Sequence, residues 1–485
     1  MGVRDLRTAY RAGTLRPLTV VEDVLARIAS RGDDAVWISV AAAEDLRRRA
    51  AELERLDPLD LPLYGVPVAV KDNIDVAGLP TTAACPGFAY TPTADAGSVR
   101  LLREAGAIIV GKTNLDQFAT GLNGTRSPYG APESVFGGDL ISGGSSSGSG
   151  VAVAAGIVPV ALGTDTAGSG RVPAALNGIV GLKPTRGLVG TSGMVPACRT
   201  LDCVSVFTRD LADAATVLEV LAAPDPADPW SRTGEPVTAG LRLAIPEGLD
   251  FGRGAARGAD HGDRGAARGA DHGDRAAARG ADHGDRAAAR GADHADGGHG
   301  TVDEPMAAAF AKVIEAALRR APGFVRTDVG PLREAGDLLY GGPWVAERLA
   351  ELEDFLATDA EVLPVTRSVI ERGALFSAVD AFRGTYRLQE LKAWAARLFE
   401  TADVLLLPTV PTTFTRAQMA EDPVGNNLVL GRYTQFTNLL DLAAVAVPAG
   451  VTSDGRPCGV TLVGPAFSET RLLAAAAALV PQEVA

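Results

Sequence analysis

The sequence predicts an α/β protein with a mixed central β-sheet that is covered by helices on both faces. The chain has 485 residues, 46% of them hydrophobic, so it can bury a large core. Short apolar runs such as residues 107–111 (AIIVG) indicate buried strands. Stretches with helical spacing of apolar side chains alternate with these runs, which is the order expected of such a sheet. We therefore expect residues 1–485 to form a single domain without a C-terminal accessory domain.

The elements follow from the spacing of apolar side chains. Residues 4–55 show helical spacing, so residues 1–60 should supply two or three helices. Residues 63–70 then become strand-like and end at Lys71, and a helix over residues 98–105 precedes the strand named above. By the same criteria we expect further strands at 157–162, 241–246, 404–408 and 442–448, and helices at 306–318, 344–355, 377–400 and 470–480.

Residues 252–300 break this order. The unit ARGADHGDR recurs there every eleven residues and carries histidines in register, at His261, His272, His283 and His294. An eleven-residue period could align these side chains on one helix face as a metal-binding array. Each full unit, however, has two glycines and no large apolar side chain, so it cannot offset the entropy lost on ordering. We expect a disordered, low-complexity insert outside the fold rather than a metal site.

Composition excludes several function classes. Lys and Arg number 46 and Asp and Glu 59, which gives a net charge of −13 and argues against a nucleic-acid partner. The four cysteines are scattered without a C-x-x-C pair, as is typical of reduced thiols in a cytoplasmic protein. The longest apolar run, residues 151–162, is too short to span a bilayer, and the start lacks the apolar region of a signal peptide. We expect a cytoplasmic protein with no membrane partner.

All five histidines of the chain lie in residues 252–300. A Ser-His-Asp triad, a Cys-His pair or a His-ligated metal therefore has no histidine unless the insert supplies one, and we expect no metal and no other cofactor. A neutral lysine can take a proton from a serine, but its pKa of about 10.4 must first fall through burial or nearby positive charge. Lys71 ends an apolar strand, where a side chain can be buried. The alternative, favoured by spacing alone, is a surface lysine paired with Asp72, so a catalytic role requires Asp72 to point elsewhere.

Two glycine- and serine-rich strings follow, residues 142–150 (SGGSSSGSG) and 163–170 (GTDTAGSG). A flexible linker is the alternative for the first string, but a small-residue helix and a strand continue it. A helix start presents free N–H groups and a partial positive charge, which stabilise an anion. In the second string we expect a turn whose backbone N–H groups converge as an oxyanion hole, those of Thr166, Ala167, Gly168 and Ser169. Asp165 and Arg171 flank this turn and are expected to form a structural ion pair.

These strings resemble the amidase signature family over roughly residues 60–210, and more weakly along the remaining chain outside the repeat. The set is specific, because Lys71, the GGSS box, the GTDxxGSxR box and residues 181–185 (GLKPT) occur in the family's order. The resemblance implies that Ser169 is the nucleophile, Ser145 a bridging serine after a cis peptide bond, and Lys71 the base. A proton would pass from Ser169 through Ser145 to neutral Lys71, and water would hydrolyse the resulting acyl-enzyme.

Within the family, residues 185–188, 195–199, 201–206 and 340–348 resemble the allophanate hydrolases. That resemblance implies that Tyr340 and Arg348 bind the carboxylate end of a small anionic amide, and arginine suits a carboxylate because it binds bidentately. The implied reaction is hydrolysis of the terminal amide of allophanate, which releases ammonia and an N-carboxylated carbamate. The resemblance also suggests a homodimer and a functional link to a urea carboxylase.

Two other functions stay open from sequence. One is an amidase of the same family that acts on a neutral aryl or aliphatic amide. The other is an amidotransferase A-type subunit that works only with partners. For Arg348, the alternative is an exposed helix arginine with no ligand.

Overall fold

The computed structural model describes residues 1–58, 60–254 and 301–480, and the strands in these ranges form one eleven-stranded sheet. The strands are β1 Trp37–Val40, β2 Pro67–Lys71, β3 Ile108–Thr113, β4 Val160–Thr164, β5 Val180–Lys183, β6 Val204–Thr208, β7 Leu243–Glu247, β8 Phe324–Asp328, β9 Val404–Pro408, β10 Leu442–Val451 and β11 Pro457–Pro465. Their order across the sheet is β1-β3-β2-β4-β6-β5-β10-β11-β9-β7-β8.

The sheet is mixed. Strand β2 runs parallel to both β3 and β4, and β7 runs parallel to β8 and β9. The strands between these two groups, from β4 through β6, β5, β10 and β11 to β9, pair antiparallel. The predicted α/β class with a mixed central sheet is confirmed.

Sixteen α-helices surround the sheet in the described ranges. They are α1 Val3–Arg11, α2 Pro17–Arg31, α3 Ala43–Leu53, α4 Gly97–Glu104, α5 Ser147–Ala154, α6 Val172–Leu176, α7 Leu211–Leu221, α8 Glu304–Arg320, α9 Gly330–Tyr340, α10 Trp344–Leu356, α11 Pro364–Glu371, α12 Ala378–Thr401, α13 Arg416–Glu421, α14 Gly425–Gly431, α15 Phe436–Leu439 and α16 Glu469–Leu479. None of these helices combines the length and the apolar character that a membrane crossing requires.

Helices cover both faces of the sheet, as strand β9 demonstrates. Its residues Val404 and Leu406 belong to one hydrophobic core, which also takes in helices α8 and α16. Leu405 and Leu407 belong to a second core, which takes in helices α9 and α12. Because successive side chains of a strand point to opposite faces, two separate cores along one strand mean that each face is covered.

The N-terminal segment differs from the prediction in one respect. Three helices, α1 to α3, lie within residues 1–60 as expected, but strand β1 interrupts them. Trp37–Val40 pairs antiparallel with β3 at the edge of the sheet, and its residues are only half-buried. A four-residue edge strand carries too little apolar periodicity to be separated from the helical pattern around it, so the sequence prediction missed it.

The two ends of the segment between strand β7 and helix α8 lie side by side. Gly252 pairs with Val302 in an isolated antiparallel bridge, and the Arg253 N–H donates to the Thr301 carbonyl at 3.2 Å. The predicted disordered repeat itself falls almost entirely at residues 255–300, outside the described residues. The described residues on either side of this segment, Gly252 and Val302, are therefore adjacent.

Candidate active site

Lys71 lies at the edge of the sheet where two neighbouring parallel strands end. It is the last residue of β2, and Thr164 is the last residue of the adjacent strand β4. Because these strands are parallel, their carboxyl ends meet at the same edge. The Lys71 ammonium nitrogen Nζ donates to Thr164 Oγ1 at 2.7 Å. Sequence reasoning did not single out Thr164, although it lies inside the GTDTAGSG string.

The structure brings Lys71 and Ser145 together. Nζ of Lys71 lies 2.7 Å from Ser145 Oγ, and both side chains are fully buried. The peptide bond between Gly144 and Ser145 is cis, as the family resemblance implied. The helix α5 starts two residues later at Ser147, so Ser145 sits directly before a helix N-terminus.

The electrostatic surroundings of Lys71 favour an uncharged amine. Burial lowers the pKa of Lys71 to about 7, against an opposing effect of the carboxylates of Asp116, Asp165 and Asp202. The positive charge of Arg348 also lowers the pKa of Lys71. An amine with this pKa is substantially neutral at physiological pH and can accept a proton.

Asp72 points away from Lys71, as a catalytic role of Lys71 requires. Its Oδ1 atom lies 3.1 Å from Nζ of Lys112, and its Oδ2 atom accepts hydrogen bonds from the backbone N–H and the hydroxyl of Thr82. The extended chain at the end of β2 directs consecutive side chains to opposite sides. The alternative of a surface lysine paired with Asp72 is wrong.

Ser169 lies in the turn between β4 and helix α6. Its side chain is buried, and the Ser169 hydroxyl makes no hydrogen bond within the described part of the chain. The backbone N–H groups of Thr166, Ala167 and Ser169 likewise have no hydrogen-bond acceptor among the described residues. A turn with three unused donors beside a buried hydroxyl has the composition of an oxyanion-binding site.

Gly168 does not fit the predicted oxyanion hole. Its N–H donates to Oδ1 of Asp165 at 2.8 Å, and the Gly170 N–H donates to Oδ2 of the same carboxylate at 3.0 Å. The expectation that four N–H groups converge was therefore wrong for Gly168, because the Asp165 side chain folds back under the turn and takes that donor.

Asp165 and Arg171 form the structural ion pair that the sequence predicted. The pair is fully buried and bidentate, with Arg171 Nε 2.8 Å from Oδ2 of Asp165 and Nη2 2.9 Å from Oδ1. Arg171 also donates to the Thr434 carbonyl and to the Thr437 hydroxyl. The pair therefore fixes the turn that carries Ser169 against the segment around helix α15.

Two further residues hold this turn and escaped the sequence analysis. The Thr434 hydroxyl donates to the Ala167 carbonyl at 2.7 Å, and the Thr166 hydroxyl donates to Asp202. Asp202 also accepts from the backbone N–H groups of Ala197 and Cys198, and burial raises the pKa of its carboxyl to about 6. Thr434 is 267 positions away from Ala167, so no local pattern could have revealed the contact.

Tyr340 and Arg348 meet although they lie on different helices. Tyr340 ends α9, two glycines and a proline turn the chain, and Arg348 lies in the second turn of α10. Nη2 of Arg348 lies 3.3 Å from the Tyr340 hydroxyl oxygen, and the guanidinium carbon lies 5.3 Å from the centre of the Tyr340 ring. Nη1 donates to the Thr120 hydroxyl at 2.9 Å.

Arg348 is a buried cation that forms no ion pair with any described residue. Its residue surface is 2% exposed, and its guanidinium pairs with no carboxylate in residues 1–58, 60–254 and 301–480. Its Nε atom is buried and has no hydrogen-bond partner there. The alternative of an exposed helix arginine is wrong. A buried, incompletely satisfied guanidinium is costly unless an anion completes its shell.

Groups that could hold a metal ion are absent from the described ranges, in which no three His, Cys, Asp or Glu side chains cluster suitably. All four cysteines are buried and free.

Known proteins of one family are similar to this chain over most of its length. The profile of the Amidase family matches residues 19–245 and 296–473. The urea amidolyase of Saccharomyces cerevisiae is 44% identical over 450 residues, which is 91% of this chain and 22% of the yeast protein. The A-type subunit of the glutamyl-tRNA(Gln) amidotransferase of Symbiobacterium thermophilum is 34% identical and matches 96% of this chain and 94% of its own length.

A solved structure is also similar to this chain over its whole length. The allophanate hydrolase of Kluyveromyces lactis superimposes with a TM-score of 0.84 at 38% identity, covering 100% of this chain and 74% of that one. The chain thus spans about a fifth of the length of the urea amidolyase and about three quarters of the allophanate hydrolase. With the family profile matched across most of its length, this chain belongs to the Amidase family.

Proposed function

We propose that this protein hydrolyses the terminal amide of allophanate, with release of ammonia and an N-carboxylated carbamate that decomposes to ammonia and carbon dioxide. The assignment of the substrate rests on Arg348. Its buried guanidinium lies beside Tyr340 and forms no ion pair with a carboxylate of the described residues. Allophanate is a small anion whose carboxylate lies beyond its terminal amide, so it brings the missing negative charge.

Ser169 is the proposed nucleophile, Ser145 the relay and Lys71 the base. As the Ser169 oxygen attacks the amide carbonyl, its proton moves to Ser145, whose own proton moves to Lys71 Nζ. The 2.7 Å contact between Nζ and Ser145 Oγ supports the second transfer, and the pKa of about 7 supports an amine that can receive a proton. The proton then returns through Ser145 to the leaving nitrogen, ammonia departs, and water hydrolyses the acyl-enzyme.

The proposed oxyanion hole consists of the backbone N–H groups of Thr166, Ala167 and Ser169. These donors are unused in the described part of the chain, and hydrogen bonds from Thr434 and to Asp202 hold the turn that bears them. Donors fixed before the reaction stabilise the developing oxyanion without a reorganisation cost, which is worth roughly 10²- to 10³-fold in rate per donor.

Tyr340 and Arg348 are the proposed carboxylate-binding residues. Their role is supported by the likeness to the K. lactis allophanate hydrolase and to urea amidolyases. The name of the latter joins this chemistry to urea, which supports a functional link to a urea carboxylase. We also propose a homodimer and a cytoplasmic location, the latter supported by four buried and unpaired cysteines.

A second candidate function is that of an A-type amidotransferase subunit. It is favoured by one observation, the 34% identity that extends over 94% of the S. thermophilum protein. Such a protein is expected to need partner subunits, whereas an allophanate hydrolase is expected to release ammonia alone. A neutral-amide amidase, the remaining alternative, would have no use for the unpaired Arg348.

The test is ammonia release by the purified protein from allophanate, from the anionic amide malonamate and from its neutral analogue malonamide. We expect turnover of the two anions and a much slower reaction of malonamide. Arg348→Ala should lower kcat/KM for the anions on the order of 10²- to 10³-fold, since a buried charge contact is lost. Its effect on malonamide should stay below about tenfold.

The matched control is Arg326→Ala, which removes an exposed arginine of strand β8 that pairs with Glu247 of strand β7. It should leave both reactions unchanged. Equal losses on anionic and neutral amides in Arg348→Ala would contradict the allophanate assignment. Inactivity on every amide until a partner is added would favour the amidotransferase function.

A further inference from the structure

A second arginine beside Arg348 has no role in the chemistry described above. Arg126 lies in the loop between strand β3 and helix α5, and its residue surface is 4% exposed. Its Nη1 atom donates to the Thr120 carbonyl at 2.8 Å and its Nη2 atom to the Pro423 carbonyl at 2.5 Å. Its Nε atom is buried and has no partner in the described residues, and no carboxylate there forms an ion pair with it.

Thr120 joins the two guanidinium groups. Its carbonyl accepts from Arg126 and its hydroxyl accepts from Arg348, so one residue contacts two buried cations. Burial lowers the pKa of Arg126, and the neighbouring charge of Arg348 lowers it further. Two like charges in one buried region repel each other, and both require desolvation. The carboxylate of Asp116 offsets the charge of Arg126, and those of Asp202 and Glu347 offset the charge of Arg348, without forming an ion pair with either guanidinium group.

The carboxylate that offsets the charge of Arg126 is already committed to the backbone. Asp116 accepts hydrogen bonds from the backbone N–H groups of Asn123 and Gly124 on Oδ2 and from that of Arg126 on Oδ1. It forms no ion pair with either guanidinium group. Asp116 therefore shapes the loop and offsets positive charge at a distance, but it leaves the two Nε atoms unsatisfied.

This loop is fixed against the serine that contacts Lys71. The Asp116 N–H donates to the Ser145 carbonyl at 3.0 Å. A Cβ atom placed on Gly144 would lie 2.1 Å from Oδ2 of Asp116 and 2.6 Å from the Gly124 nitrogen, so loop and serine string pack without space between them. The position of the loop that bears Arg126 is thereby set relative to Ser145.

We propose that Arg126 is the second cation of the substrate's carboxylate subsite and determines, with Arg348, the preference for an anionic over a neutral amide. This inference rests on the proposed function and adds a specificity residue to it. Arg348 contacts the carboxylate from the helix side, and Arg126 supplies positive charge from the loop that packs on Ser145. A substrate carboxylate relieves the repulsion between the two guanidinium groups, whereas a neutral amide does not.

The competing role for Arg126 is a purely structural tie between the loop and Pro423. The two roles predict different kinetics. Loss of a tie would displace the loop and slow every substrate alike. Loss of a charge would raise KM for an anion and leave a neutral amide of the same shape almost unaffected.

The experiment compares Arg126→Gln, Arg126→Met and Arg126→Lys with the wild type on malonamate and malonamide. For the neutral variants we expect the preference for malonamate to fall by about tenfold or more, mainly through KM, with malonamide within about threefold of wild type. Arg126→Lys keeps the charge and should retain most of the preference. Arg126→Gln keeps a neutral, polar side chain, so it decides the question if Arg126→Met does not fold.

A comparison variant is Arg432→Met, which removes a partly buried arginine that pairs with Asp250 and donates to the backbone carbonyls of Asp250, Gly252 and Gly254. It should change both substrates equally. Malonate binding, measured by calorimetry, gives a readout independent of turnover and should weaken about tenfold in Arg126→Gln.

Equal losses on malonamate and malonamide in Arg126→Gln, with unchanged malonate affinity, would overturn the inference. Failure of the proposed function looks different. The wild type would then show no preference for malonamate, and Arg348→Ala would not change the ratio, while malonate binding would still report whether Arg126 contributes to an anion subsite.

Discussion

Two buried lysines on neighbouring strands show what distinguishes a candidate catalytic amine from a structural one. Lys71 on β2 and Lys112 on β3 are both fully buried, and burial lowers the pKa of each. Lys112 has a carboxylate partner, Asp72, at 3.1 Å, and it also donates to the Thr81 hydroxyl. Lys71 donates to hydroxyl groups, those of Ser145 and Thr164.

The difference lies in the partner rather than in the burial. A carboxylate within contact distance favours the charged ammonium, so Lys112 and Asp72 form a buried ion pair. A hydroxyl can donate to a neutral amine as readily as it accepts from a charged one, so Lys71 can lose its proton without losing its contacts. One lysine therefore stabilises the fold, and the other is available for proton transfer.

The largest effect is expected when the available amine is removed. Lys71→Met should lower kcat by at least roughly 10³-fold, because no other base contacts Ser145 in the described residues. Ammonia release measures the rate, and a thermal melt checks the fold. The melting temperature should not fall as far as in Lys112→Met, since Lys71 has no carboxylate that would be left unpaired. Retention of more than about a tenth of the wild-type rate would contradict the proposed base.

Replacement of the structural lysine, Lys112, should lower stability more than replacement of Lys71 does. Lys112→Met leaves Asp72 as an unpaired buried carboxylate, which should lower the free energy of unfolding by about 3–5 kcal/mol. Urea unfolding followed by circular dichroism measures this loss. The double variant Lys112→Met with Asp72→Asn should recover part of it, because no buried charge then remains. A neutral outcome in Lys112→Met would mean that the pair adds nothing to stability.

The pH dependence of kcat/KM tests the difference between Lys71 and Lys112. The proposed reaction needs neutral Lys71, and burial lowers the pKa of Lys71 to about 7. We therefore expect kcat/KM for malonamate to rise about tenfold per pH unit below that value and to level off above it. Asp72→Asn removes the partner of Lys112 and should leave the midpoint near 7. A rate that stays flat from pH 5 to 8 would contradict a lysine base.

The smallest effect on the rate is expected from a change in residues 255–300, which are distant in sequence from both lysines. Replacing residues 255–300 by a short Gly-Ser linker should keep ammonia release within about twofold of wild type, because such insertions are tolerated where the chain ends already meet. Those ends are joined by the Gly252 and Val302 bridge, and neither lysine donates a hydrogen bond to it. A large loss of rate in a folded variant would assign the repeat a role in turnover.

Much of the fold was predictable because its signals are local. Strand β9 was expected at 404–408 and occurs there, and helix α10 was expected at 344–355 and runs over Trp344–Leu356. Continuous apolar runs and helical spacing identify such elements whatever surrounds them. Strand β1 was missed because its four half-buried residues have no such pattern and depend on pairing with β3.

The residues of the candidate site that lie in sequence motifs were predictable. The residues that hold these motifs in place through contacts with distant segments were not. Lys71, Ser145 and Ser169 stand in recognisable motifs, and the buried pair of Asp165 and Arg171 lies only six positions apart. Thr434 and Arg126 gave no signal, because their contacts with Ala167 and Pro423 join segments 267 and 297 positions apart.

The sequence by itself determined the α/β class, the position of elements with a strong apolar pattern and the candidate reactive residue types, since each depends on neighbours in the chain. The tertiary structure alone decided which groups carry charge and which donors stay free. It directs Asp72 to Lys112 and leaves Lys71 with hydroxyls, and it ties the Gly168 N–H to Asp165. Protonation and hydrogen bonding depend on burial and on distances between remote segments, and the linear order of residues does not contain them.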